Sequence, residues 1–279
     1  MKNFFKAVGA AVGYLALYLL MIFIVTMGAM ITHLLLGSES INDSAYYLNS
    51  RLLEITIAAN VLTLLVYFII QKVRKRKFKD YLELKLVSVK RLWPIITFGL
   101  SFNIVISFLI ANLPLPQNII EDYSNAVGTL NIGSPLISLI ATVIVAPIFE
   151  EILFRGLILN ALRRAMPLTI AVILQALLFG FMHGQILWMA YSFIFGIVLA
   201  VARLRYKSLY ACIALHFSFN ALSALMMALS LDLPESFLPG LLIFILAVLL
   251  ASFSVWKFFK NKKPIDQDAL AKDAALALE

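Results

Sequence analysis

Residues 134–162 read SPLISLIATVIVAPIFEEILFRGLILNAL, a long apolar run with three charges in its second half. About 20 apolar residues suffice for a helix to cross the roughly 30 Å hydrocarbon core of a bilayer. The charges are Glu150, Glu151 and Arg155, and an ionisable group at the membrane centre costs roughly 3 kcal/mol or more. The run therefore predicts a transmembrane helix that carries a functional site.

Similar apolar runs fill most of the chain. Of the 279 residues, 62% are hydrophobic and 14% are charged, whereas soluble domains are about 45–50% apolar and about 25% charged. We therefore predict an all-α, polytopic membrane protein, a bundle of about eight transmembrane helices. The predicted spans are 8–36, 52–70, 92–113, 134–162, 167–184, 186–202, 208–231 and 238–259. We divide the chain into N-terminal helices (1–133) with a basic linker (71–91), a core (134–231), and a last helix with a tail (232–279).

The charged residues predict the orientation of these spans. Lys and Arg number 23 against 15 Asp and Glu, for a net charge of +8. In the eight-span arrangement nearly all basic residues fall in loops on one side, so the positive-inside rule places both termini in the cytoplasm. The basic linker is assigned to topology and anionic headgroups, and no nucleic-acid partner is expected. Short loops favour an integral protein of the bacterial cytoplasmic membrane, in contact with the lipid bilayer.

The charges of the fourth span have a definite spacing. Glu151 and Arg155 are four residues apart with the acid first, the favoured direction for an ion pair on a helix. Glu150 points about 100° away from Glu151 and is free for other work. The pair is therefore predicted to shape the site, whereas Glu150 is the candidate for chemistry.

Two other predicted spans carry the remaining polar candidates. On the fifth span His183 follows Phe179 by four residues, and on the seventh Asn220 follows His216 by four. Helical rise places His183, His216 and Asn220 at depths where they can meet Glu150 in the middle or outer half of the bilayer. We therefore expect one shared site, although His216 and Asn220 alone could instead be hydrogen-bonding contacts between helices.

These residues form three motifs on nearby spans. They are EExxxR from Glu150 to Arg155, FxxxH from Phe179 to His183, and HxxxN from His216 to Asn220. In this order they resemble the CAAX protease and bacteriocin-processing (CPBP, or Abi) family, which includes the Ras-converting CAAX endopeptidase. The resemblance covers about 134–231. It implies an intramembrane protease that acts in peptide or protein maturation or in bacteriocin immunity, with a peptide or membrane-protein substrate.

Peptide hydrolysis needs an activated water and a donor set for the oxyanion. We hypothesise that Glu150 deprotonates a water held also by His183, while His216 and Asn220 donate hydrogen bonds to the developing oxyanion. The family resemblance implies the same assignment. Glu151, Arg155 and Phe179 would support these groups.

Other interpretations remain open at this point. Glu150, His183 and His216 could instead bind zinc, with water in an open coordination position. A metal-free glutamate mechanism without a cofactor is favoured, because the resemblance to the CAAX endopeptidase points to it. A proton-coupled transporter, or a scaffold that binds another membrane protein without cutting it, would also carry buried polar groups. The single cysteine excludes an intramolecular disulfide.

Overall fold

The computed structural model describes residues 2–37, 41–229 and 236–260. All regular structure in these ranges is helical. The helices are α1 (Lys2–Leu35), α2 (Ile41–Ser50), α3 (Leu52–Val73), α4 (Phe78–Tyr81), α5 (Val89–Asn112), α6 (Gln117–Gly128), α7 (Pro135–Leu162), α8 (Leu168–Phe181), α9 (Ile186–Tyr206), α10 (Leu209–Ala228) and α11 (Phe237–Lys260), with a 3₁₀ turn at Thr129–Asn131. The prediction of a polytopic helical bundle is confirmed. The end of the seventh predicted span and the predicted tail at 261–279 lie outside the described residues.

Seven of these helices are long and apolar enough to cross a membrane: α1, α3, α5, α7, α9, α10 and α11. The fifth predicted span, 167–184, is shorter in the structure, since α8 has 14 residues and rises only about 21 Å. The helix ends at Phe181, and Gly184 adopts a left-handed φ of +71°, which glycine tolerates without steric cost. The chain turns there and returns as α9, which packs along α8.

α7 lies at the centre of the bundle and is not a regular α-helix. It contains two π-helical segments, Ile140–Val145 and Glu151–Ile158, and every residue of the second segment is buried. Pro147 has no N–H, and its ring would clash with the carbonyl of Val143 in an α-helix. The wider turns before Pro147 accommodate this ring. π-Helical turns are frequent at functional sites, and the part of EExxxR from Glu151 to Arg155 lies in the second segment.

The basic linker has a structural role beyond setting topology. Its residues 77–88, here called the strap, cross the ends of α7, α9 and α10, and Leu82 within it is fully buried. Buried side chains donate to the strap carbonyls: Asn160 to Tyr81 at 2.8 Å and Arg203 to Leu82 at 3.0 Å. The strap can lie against these helix ends because the donors satisfy its backbone carbonyls.

The ends of several helices form one basic face with the strap. It carries the arginines and lysines at 72–91, 163–164 and 203–207. At this face Arg74 donates to the hydroxyl of Tyr14 from α1, at 3.0 Å, and the Arg205 guanidinium lies 4.4 Å from the ring centre of Phe259 in α11. The N-terminal part of α1 and the end of α11 therefore lie on the same side, as the eight-span pattern requires. The cytoplasmic placement of that side stays a prediction.

Candidate active site

Three charged or polar side chains form a buried central cluster, defined as Glu151, Arg155 and His216. Oxygen Oε1 of Glu151 accepts from Nη1 of Arg155 at 2.9 Å and from Nδ1 of His216 at 2.8 Å. Glu151 and Arg155 are fully buried and His216 is 4% exposed. The predicted i,i+4 pair is therefore present, and it also fixes the orientation of an imidazole from α10.

Aromatic rings and a backbone carbonyl complete the surroundings of Arg155. Its guanidinium carbon lies 4.2 Å from the ring centre of Phe179, and its Nη2 donates to the carbonyl of Gly196 at 3.2 Å. A cation over a desolvated aromatic face gains roughly 2 kcal/mol. Phe179, expected to support the site, thus contacts the central cluster directly. The contact with Gly196 of α9 uses a backbone carbonyl and no side chain, so the sequence could not have revealed it.

Glu150 differs sharply from its neighbour Glu151. Its side chain is 24% exposed, and Oε2 lies 3.8 Å from Nε2 of His216. Because Nδ1 of His216 donates to Glu151, the second ring nitrogen is the one directed at Glu150. One glutamate therefore accepts from Nδ1 of the imidazole, while the other, partly exposed, faces Nε2.

His183 lies just beyond the end of α8, in the turn that leads to α9. Its Nδ1 donates to the carbonyl of Phe179 at 2.8 Å, which leaves Nε2 as the free ring nitrogen. The ring packs edge-on against Phe179 at 4.9 Å and lies 5.5 Å from Trp188 between ring centres. Glu150 and His216 are close enough to act on it electrostatically. His183 therefore joins the same site, although it leaves the helix predicted for it.

Asn220 lies one turn beyond His216 on α10. Its Nδ2 donates to the carbonyl of Thr142 at 2.8 Å, in the first π-helical segment of α7. One N–H of the amide is therefore engaged and the second remains. Asn103 of α5 anchors the same helix, donating to the carbonyl of Phe219 at 3.0 Å and the hydroxyl of Ser223 at 2.6 Å. As an amide in a predicted membrane span, Asn103 could have been singled out from the sequence.

The segment after α5 contacts the turn that holds His183. Gln185, in the turn beside His183, donates to the carbonyl of Ile119 in α6 at 3.3 Å. Tyr123 of α6 hydrogen-bonds to Tyr191 of α9. α6 was expected only as part of an outer loop. Its contacts place it next to the turn that holds His183.

Among the described residues, no group of three or more His, Cys, Asp or Glu side chains is arranged to hold a metal ion. Glu150, His183 and His216 share one region but do not converge on a single point as zinc ligands do. Nδ1 of each histidine is occupied by a protein acceptor, so each has only Nε2 to offer a metal.

Residues 132–222 match the family model of the Rce1-like proteins, described as type II CAAX prenyl endopeptidase Rce1-like. The resemblance predicted from the three motifs is confirmed over this part of the chain. The long apolar helices indicate a multi-pass membrane protein.

A similar curated protein is an uncharacterized 24.3 kDa protein of Escherichia coli. It is 33% identical over 100 residues, which are 34% of this chain and 46% of that protein. The chain thus spans about half the length of this relative. No solved structure matches the chain with significant similarity.

Proposed function

We propose that this protein is an intramembrane endopeptidase in which Glu150 activates water for attack on a peptide bond. One observation carries the proposal: two adjacent glutamates occupy different environments. Glu151 is fully buried between Arg155 and His216, whereas Glu150 is 24% exposed and faces the free nitrogen of His216. A general base has to reach water, and among these two only Glu150 does.

The reaction can be written with these groups. The Glu150 carboxylate takes a proton from a water that also hydrogen-bonds to Nε2 of His183. The resulting hydroxide adds to the scissile carbonyl carbon, and the carbonyl π electrons move to oxygen. His216 and the second N–H of Asn220 donate the hydrogen bonds that stabilise this oxyanion. Glu150 then gives its proton to the departing amine as the C–N bond breaks.

The central cluster supports this mechanism electrostatically. Glu151 fixes the orientation of His216 through the hydrogen bond to Nδ1. Arg155 balances the charge of Glu151 at 2.9 Å, so that the cluster does not repel a second carboxylate at Glu150. Glu151, Arg155 and Phe179 act through His216 and are positioning residues.

The test uses the purified full chain in lipid nanodiscs. The substrate is a prenylated peptide that ends in a CAAX sequence, with a fluorophore on the released tripeptide. Glu150→Gln should lower kcat by about 10²–10⁴-fold, the usual contribution of a general base. Glu54→Gln removes an acid from an exposed ion pair on α3 and should leave cleavage unchanged. Full activity in Glu150→Gln would contradict the base assignment.

Metal analysis and chelation address the zinc alternative. A glutamate mechanism predicts that cleavage survives chelator and does not depend on bound zinc. Stoichiometric zinc, lost together with activity on chelation and absent from His183→Ala, would instead assign Glu150, His183 and His216 as ligands.

The substrate is the remaining part of the proposal. Comparison of the membrane peptidome of cells carrying the wild type and Glu150→Gln should reveal an uncut precursor, either in peptide maturation or in bacteriocin immunity. If neither the prenylated peptide nor any cellular precursor distinguishes the two, the protein acts as a scaffold for another membrane protein.

A further inference from the structure

Three arginines of the basic face gather around two tyrosines. The guanidinium carbons of Arg76 and Arg164 lie 4.9 and 5.1 Å from the ring centre of Tyr81. The two guanidinium carbons are therefore no farther apart than the sum of these two distances. Arg74 stands beside them, with its Nη1 at 3.0 Å from the hydroxyl of Tyr14. We call Arg74, Arg76 and Arg164 the arginine cluster.

The arginine cluster is positioned by the fold. Tyr81 belongs to the strap, and its carbonyl is held by Asn160 of α7. Tyr14 is buried, and its hydroxyl also accepts from Gln71 of α3 at 2.7 Å. Gln71 in turn accepts from Arg76 at 3.5 Å. Three separate segments of the chain thus bring these cations together.

Within the described ranges no carboxylate lies within 4.0 Å of the three guanidinium groups. All ion pairs there belong to other groups, and Glu83 of the strap pairs with Arg203 and Arg163 instead. Asp80, next to Tyr81, takes part in none of them. Burial raises the pKa of Tyr81 although Arg164 and Arg76 act in the opposite direction, so the phenol is neutral and supplies no countercharge.

The neighbouring positive charges affect the pKa of Arg164, which is half-buried. Burial lowers the pKa of Arg164, and the nearby charges of Arg76 and Arg74 lower it as well, while Tyr81 and Tyr14 act in the opposite direction. Like charges held together in a partly desolvated place are unfavourable unless an anion joins them. The planar fork of N–H donors on an arginine binds phosphate oxygens in pairs.

We propose that the arginine cluster, with the tyrosine rings that hold it, is a binding site for one phosphate group, the headgroup of an anionic phospholipid. The cluster lies at the ends of α3 and α7, which cross the membrane, so its depth is that of the headgroup layer. This site is separate from the central cluster and does not depend on the proposed protease activity.

The test measures binding of dioctanoyl phosphatidylglycerol to the full chain in neutral detergent by native mass spectrometry. Arg76→Gln/Arg164→Gln should raise the Kd of the first bound lipid about tenfold or more, since two charge-assisted contacts are lost. Lys77→Gln/Lys79→Gln removes the same charge from exposed strap positions and should change it less than about twofold. Arg76→Lys/Arg164→Lys, which keeps the charge without the planar fork, should fall between them.

Three outcomes would overturn the proposal. An equal loss in the arginine and lysine variants would mean general attraction to a basic surface. Equal binding of dioctanoyl phosphatidylcholine would mean that the headgroup charge is not recognised. Displacement of the lipid by inorganic phosphate at equal concentration would assign the site to free phosphate. Thermal unfolding of each variant confirms that it is folded under the binding conditions.

Discussion

Two buried arginines, Arg155 and Arg203, each have their charge balanced by a glutamate, but the two pairs are built differently. Both are almost completely inaccessible, at 0% and 1% exposure, and both pair with a glutamate. Arg155 pairs within its own helix with a glutamate that is also fully buried. Arg203 pairs across the molecule with Glu83 of the strap, whose side chain is 17% exposed.

The two glutamates differ in the further contacts that they make. Glu151 uses one oxygen to hold both Arg155 and His216, so this pair orients a group of the candidate site. Glu83 binds Arg203 and approaches Arg163 at 3.8 Å, and its backbone carbonyl accepts from Leu209, so it fastens the strap. The buried central cluster thus orients an imidazole, whereas charge at the basic face joins segments of the chain.

Breaking the central cluster should have the largest effect. Arg155→Met leaves the carboxylate of Glu151 buried without its cation, which costs about 3–5 kcal/mol. We expect a correspondingly large drop in stability in a denaturant titration of detergent-solubilised protein. The double variant Glu151→Gln/Arg155→Met removes both charges and keeps an acceptor for His216. The double variant should regain most of the stability but little of the cleavage activity. An Arg155→Met variant as stable as the wild type would show that Arg155 is not needed to balance the charge of Glu151.

Much of this centre could be predicted from the sequence. Hydropathy located the apolar helices, and i,i+4 spacing paired Glu151 with Arg155, because both signals depend on local geometry. The link from Glu151 to His216 joins residues 65 positions apart. Helical depth placed them at similar levels, but which nitrogen meets which oxygen depends on the packing of α7 against α10.

Three other features of the fold could not be predicted from the local sequence pattern. The π-helical segments of α7 depend on how Pro147 is accommodated among neighbouring helices. The strap was predicted as a hydrophilic linker, because hydropathy averaged over its lysines conceals the single buried Leu82. The length of α8 was overestimated, since the apolar residues continue through Phe181 and Met182 into a turn that Gly184 permits.

The next largest effect should come from the contact between the strap and α7. A Cβ placed on Gly156 would lie 2.6 Å from Cδ2 of Leu82, and Gly156 follows Arg155 directly. Leu82→Ala should cost about 2–3 kcal/mol through the cavity it leaves, and Gly156→Ala about 1–3 kcal/mol through overpacking. In the double variant the new methyl group occupies part of that cavity. Its loss of stability should be clearly smaller than the sum of the two, and simple additivity would contradict the contact.

A smaller effect is expected from Glu83→Gln, about 1–2 kcal/mol, because the carboxylate is partly exposed. Burial alone would raise the pKa of Glu83, but Arg203 and Arg163 hold it below its ordinary value. Its stabilisation is therefore complete above the unfolded-state pKa of about 4.3 and is lost as pH falls through the lower folded-state pKa. The stability gap between wild type and variant should be constant from pH 8 to 5 and shrink below about pH 4.3. A gap that widens on acidification would mean that another group stabilises the strap.

The smallest effect should be that of Arg163→Gln, about 0.5 kcal/mol, since this arginine lies 3.8 Å from Glu83 and is more exposed than Arg203. At 1 M salt the Debye length is about 3 Å, so the attraction between partly exposed charges is largely screened. Buried ion pairs are screened much less. The effect of Arg163→Gln should therefore vanish between 0.05 and about 1 M NaCl, while that of Arg155→Met stays the same. Arg51→Gln, which breaks the exposed pair with Glu54, should be neutral at both concentrations. If the Arg155 variant were equally sensitive to salt, water would reach the central cluster, and the contrast between the two buried arginines would disappear.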